Sequence, residues 1–284
     1  MHRPHTVRAA VTSCLLMAGA VDAQWLHHPT PGTPRLADGK PNLSAPAPRM
    51  ADGRPDLSGI WKSECDFGST CFLQSRFFDL AKDLKPPDVE MTPWAAAIQA
   101  QRESREHVDD PLGYCLPAGV PRIGFFSTFK ILPAGLEIVF LYESVPGPLF
   151  REVFTDGRPL PKVTDRTWMG YSVGSWDGDT LVVETEGFRD GGWLDTRKAR
   201  PHSDALHVTE RMRRTDFGHM DWTITINDLK AYRRPWTVKS TLSLLPDTEL
   251  LETFCDAHEK TMEHRRITPP PPEPPSVPVA GSAK

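Results

Sequence analysis

From Leu116 onward the chain is a succession of short runs of period two, broken by Asp-Gly or proline turns. That pattern restricts the fold more than any other feature. FKILPAGLEIVFLYE sets Leu136, Ile138, Phe140 and Tyr142 on one face after a Pro-Ala-Gly turn, and LFREVFTDGRPLP alternates Phe150 and Phe154 against Arg151 and Val153 before Asp156-Gly157. HVTERMRR, DWTITIND, RPWTVKSTLSLL and ELLETF read the same way. Successive side chains of a strand point to opposite faces, and Asp-Gly between alternating runs is a hairpin signal. No βαβ alternation interrupts the series, so the expected fold is mainly β, an antiparallel barrel or strongly curled sheet. One helix precedes it. Thr92 caps, Pro93 suits the first helical position, and WAAAIQAQRESREH follows to about His107, before Asp110-Pro111.

Gly170-Tyr171-Ser172-Val173-Gly174 spells G-x-S-x-G, the strand-turn-helix motif that exposes a nucleophilic serine in hydrolases. Here the motif leads into Ser175-Trp176, an Asp177-Gly178 turn and the β-branched run TLVVETE. The spacing predicts a hairpin with Ser172 in its first arm. Asp195, His202 and His207 do follow in hydrolase order, which keeps a nucleophilic role for Ser172 as an alternative.

The ends are of a different character. Residues 1–23 read as a secretory signal peptide: Arg3 and Arg8, an apolar stretch from Ala9 to Ala20, and Val21-Asp22-Ala23 before the cut. That stretch is too short to span a bilayer, and no later segment approaches one. Residues 24–56 read as a flexible leader rich in proline and glycine, with PRLADGKPNLSA echoed by PRMADGRPDLSG. The folded domain is expected over 57–265 and a disordered proline-rich tail over 266–284. The formal net charge is −4, and no basic stripe interrupts it, which argues against a nucleic-acid partner. The expected location is the periplasm or the medium, and the expected partner is a small molecule.

Four cysteines lie beyond the leader. An even number in an exported chain favours disulfides. Cys65 with Cys71 closes a short loop and leaves Cys115 with Cys255; two other connectivities remain open. Zinc is disfavoured because no C-x2-C pair occurs, and neither a metal nor another cofactor is expected.

The densest polar cluster runs from Asp195 through His202 to His207, Arg211 and Arg213. Neutral imidazole serves as a general base near neutral pH when a carboxylate orients it. In the catalytic reading His207 is the base, with His202 nearby. Asp195 or Glu184 orients it, and Arg211 or Arg213 steadies developing negative charge. On a regular strand Glu210 points away from His207, with Leu206, Val208 and Met212. The plainer reading makes His207 a half-buried barrel residue, with Arg211 and Arg213 solvated or paired to Glu184 and Glu186. Trp168, Tyr171 and Trp176 are candidates for an aromatic binding wall, and Arg122 for an anion clamp; each is equally ordinary as packing. Trp61 in Gly59-Ile60-Trp61 is similar to the G-x-W with which lipocalins plug one barrel end.

Several segments together, PRMADGRPDLSGIW, MTPWAAA, DDPLGYCLPAGVPR, FTDGRPLP, GYSVGSWDGDTLVVET, PHSDALHVTERMRR, DFGHMDWTITINDLKAYRRPWTV and LLPDTELLETFC, resemble a family of exported soil-bacterial proteins. The resemblance covers about residues 48 to 260. It implies a lipocalin-like β-barrel and brings no catalytic residues. A barrel of that kind binds a small organic molecule in its lumen, either as an acid/base enzyme (lyase, isomerase or hydrolase) or as a non-catalytic carrier of an apolar or aromatic ligand. A filled barrel with an exposed aromatic patch would instead mark a protein-interaction module.

Overall fold

The computed structural model describes residues 28–63, 78–144, 147–162, 165–253 and 255. The expected signal peptide, the Cys65–Cys71 pair and the proline-rich tail lie outside them. Among the described residues nine strands close into one barrel in sequence order: β1 Gly59–Ser63, β2 Thr128–Ala134, β3 Glu137–Glu143, β4 Leu149–Phe154, β5 Tyr171–Asp177, β6 Thr180–Glu186, β7 His207–Arg214, β8 His219–Asn227 and β9 Trp236–Leu244. The mainly β barrel is as the alternation predicts. The pairing is mixed, which corrects the antiparallel expectation: β4 and β5 run parallel, Val153 opposite Ser172 and Phe154 opposite Val173. Ring closure requires this. Strand direction must return to its start after nine steps, so the antiparallel steps are even in number, and one parallel step remains. That step is the β4–β5 crossover, and it lets β1 meet β9 antiparallel, Trp61 opposite Leu244.

Period two divides each strand between lumen and surface. Trp61, Phe129, Ile131, Ile138, Phe140, Val153, Leu181, Val183, Val208, Met212, Trp222, Ile224 and Leu242 are all buried. They pack most of the barrel interior. At the end where β7 turns into β8, the Arg214 guanidinium lies 4.9 Å over the Trp61 ring and donates to the carbonyls of Asp56 and Phe217.

The opposite end is covered by helices and loops. Helix α1, Pro93–Ser104, starts as its cap predicts, with the Thr92 hydroxyl accepting from Ala95 N at 3.3 Å. It stops three residues short of His107, because Glu106 and His107 take positive φ. The four-residue helix α2, Ile123–Phe126, sits over the barrel mouth. Two ties hold the segment leading to it. Cys115 is disulfide-bonded to Cys255, S–S 2.00 Å. Arg122 forks onto Asp110 at 2.9 and 2.5 Å and donates to the Thr196 hydroxyl at 2.9 Å.

The duplicated leader segments, expected to be flexible, form two copies of one clip against the barrel. In each, an arginine donates to the carbonyl of the glycine four residues on (Arg35 to Gly39, 3.0 Å; Arg49 to Gly53, 2.8 Å). The same guanidinium forks onto an aspartate of a distant turn: Arg35 onto Asp247 and Arg49 onto Asp179. Composition argues for flexibility because such segments bury little; it is blind to long-range ion pairs.

Candidate functional site

The hairpin expected around Ser172 forms. β5 and β6 pair from Tyr171–Glu186 to Asp177–Thr180, and no helix springs from Val173. The geometry of a nucleophile elbow is therefore absent. Ser172 points into the barrel, accepting from Arg151 Nε at 2.9 Å and lying 3.0 Å from the Thr185 hydroxyl.

Those contacts belong to a polar cluster of the lumen wall. Arg151 Nη2 donates to Thr185 Oγ1 at 2.7 Å and to Glu210 Oε2 at 2.5 Å. The other oxygen of Glu210 accepts from the Trp222 indole N–H at 3.2 Å. Both charged side chains are almost sealed, 3% and 1% exposed. Burial by itself would lower the Arg151 pKa; the Glu210 charge and Tyr142 outweigh it and hold Arg151 raised, so it stays charged. Burial pushes the Tyr142 hydroxyl up to about 12. Above this floor, Val120, Pro121, Ile123 and Gly124 of the lid segment meet Phe129, Phe140, Met212 and Trp222 around a void of about 10 Å³. Closed in this way, the cavity has standing room for about one water.

The sequence-derived candidates lie elsewhere. His207 is on the outer face of the barrel, its Nδ1 3.3 Å from Glu186 and its Nε2 3.8 Å from Glu184. The reason is register. The buried alternate positions of β7 are Val208, Glu210, Met212 and Arg214, which turns His207, Thr209, Arg211 and Arg213 outward. Arg211 pairs with Asp177 at 2.6 Å and not with Glu184. His202 is buried in the loop before β7, with Phe188 edge-on at 5.8 Å. Its Nδ1 lies 3.0 Å from the Ser203 carbonyl, a contact only an Nδ1–H can satisfy. Burial lowers its pKa. Asp195 is buried against Arg200, with Leu80 and Lys198 N–H groups on its oxygens; burial raises its pKa and Arg200 opposes the shift. The catalytic set is thus not brought together in the lumen.

Nor do the aromatic candidates converge. Trp168 lies under Arg189, Tyr171 stacks on Phe154 outside the barrel, and Trp176 packs at the rim under Arg54. Arg122 is held by Asp110, with no free fork for an anion. Among the described residues no group of three or more His, Cys, Asp or Glu is arranged to hold a metal ion, and no helix is long and apolar enough to cross a membrane.

The residues that do converge, Arg151, Glu210, Tyr142 and Trp222, were not singled out by sequence as a site. A signal existed: Glu210 shares a face with Val208 and Met212, and Arg151 shares one with Val153. A charge at an inward position of an apolar strand demands a partner. No family model matches the chain, and no curated protein sequence matches it.

Proposed function

We propose that this is an exported carrier that takes a small, mainly apolar organic molecule into its lumen, over the Arg151–Glu210 floor. The supporting observation is the cavity itself, with apolar walls and a few convergent polar groups at one side, the usual make-up of a ligand site. Ligand pockets typically run to roughly 300–1,000 Å³, so the lid segment before β2 has to yield for entry. Carriage is favoured over acid/base catalysis because both oxygens of Glu210 are engaged and neither histidine candidate lines the cavity. The arginine-covered tryptophan on β1 supports the lipocalin-like reading raised by the resemblance. Export is supported by the charge and hydropathy pattern of residues 1–23 and by the Cys115–Cys255 bond, a linkage of oxidising compartments.

The test is a melting-temperature screen of small aromatic, alicyclic and aliphatic molecules, repeated on Val120→Phe, which fills the void. Binders that raise the melting temperature of the wild type and not of the variant are expected. A wild type that responds to none of them refutes the reading.

A further inference from the structure

The lid carries its own aromatic ring to the mouth of the barrel. Phe125 stacks on the inward-facing Trp222 with centroids 4.7 Å apart and planes 26° from parallel. Phe78 also packs against Phe125, at 4.7 Å and 32°. The chain is brought down hard to achieve this. A Cβ on Gly124 would stand 2.6 Å from Trp222 Cη2, so only glycine permits the lid backbone to touch that ring. Within the lid Ile123 and Gly124 are buried, whereas Phe125 is only partly buried. It therefore sits at the mouth rather than in the core. The indole that it covers is the same one whose N–H is fixed on Glu210. A flat ring against Trp222 is thus placed beside a polar floor, and in the closed barrel Phe125 supplies that ring.

We infer that the Trp222 face is the ring subsite of the lumen, that Phe125 is its resident occupant, and that the ligand is a monocyclic aromatic with a small polar substituent which displaces Phe125. This rests on the carrier reading and names its ligand class. Offset stacked pairs are favoured beyond simple area burial, which is why a planar ring competes for the slot and a puckered one does not. A tethered competitor lowers apparent affinity by the fraction of time it vacates the site.

The experiment is titration calorimetry of disulfide-intact protein with phenol and, as the non-planar control, cyclohexanol, on wild type, Phe125→Ala and Phe125→Leu. Each variant is first checked by its melting transition. Both variants are expected to bind phenol about tenfold more tightly than wild type, with little gain for cyclohexanol. Unchanged or weaker phenol binding by a folded variant overturns the inference, and so does an equal gain for cyclohexanol, which would mark a mere hole. Wild-type protein labelled with fluorophenylalanine reads the same event without substitution. Saturating phenol is expected to move the Phe125 fluorine signal towards its solvent-exposed position. An unmoved signal, in protein that binds other molecules in a Val120→Phe-sensitive way, overturns the ring subsite and leaves the carrier reading standing. Failure of every molecule to bind removes both.

Discussion

Arg151 and Glu210 meet at 2.5 Å inside the barrel, from strands β4 and β7 that are not neighbours in the sheet. Among the described residues each is the other's ion-pair partner, and both are shut off from water. Removing one partner strands a charge. Arg151→Met or Glu210→Gln alone is expected to lower unfolding free energy by about 3–5 kcal/mol in urea titrations. The double change to Met and Leu should restore most of that loss, since an apolar pair of similar volume has no desolvation penalty. A double variant as unstable as the sum of the singles would contradict this.

His202 makes the fold sensitive to acid. Burial holds its folded pKa below the ordinary value, Arg102 adds to the lowering, and Asp228 and Asp190 oppose it. The unfolded chain takes up a proton at this position below about pH 6.5, where the folded chain does not. Stability from this residue is therefore complete above that pH and declines below it, by at most about 1.4 kcal/mol per pH unit. His202→Asn keeps an N–H for the Ser203 carbonyl and does not titrate. Its urea midpoint should vary less between neutral and mildly acidic buffer than that of the wild type.

The clips are held from outside the barrel and should let go separately. Arg49→Ala is expected to speed hydrogen exchange and proteolysis across residues 48–56 while the barrel melts as before. Arg35→Ala should do the same near residues 34–45. The arginines hold Asp179 and Asp247 below the usual carboxylate range through their side-chain hydrogen bonds. This contribution is present above the ordinary aspartate pKa of about 3.9 and disappears as the pH falls through the lowered folded value. A barrel that unfolds with either clip would show that they are integral to it.

The Cys115–Cys255 bond spans 140 residues of sequence and ties the lid segment to the chain beyond β9. Replacing both cysteines by serine should reduce stability by about 2–5 kcal/mol, chiefly by loosening the unfolded ensemble. Equal urea midpoints for the oxidised and serine forms would exclude a stabilising role.

Local chemistry made much of this legible in the sequence. The Asp177-Gly178 turn and the β-branched run after it specify a hairpin wherever they occur, and Thr92-Pro93 specifies a helix start, because these depend on backbone preferences within a few residues. The period of two likewise determined that β7 has two unlike faces and that Glu210 opposes His207. Which face looks inward was decided only by closure of the ring. In β4 that choice exposes Phe150, at 63%, and buries Arg151. Between these two residues hydropathy alone favours the reverse, although Leu149 and Val153 on one face balance Phe150 and Phe154 on the other. What overrides it is a carboxylate 59 residues away, on β7, which Arg151 meets across the interior. The parallel step between β4 and β5 is of the same kind: it follows from closing nine strands, a property of the whole sheet that no single strand carries.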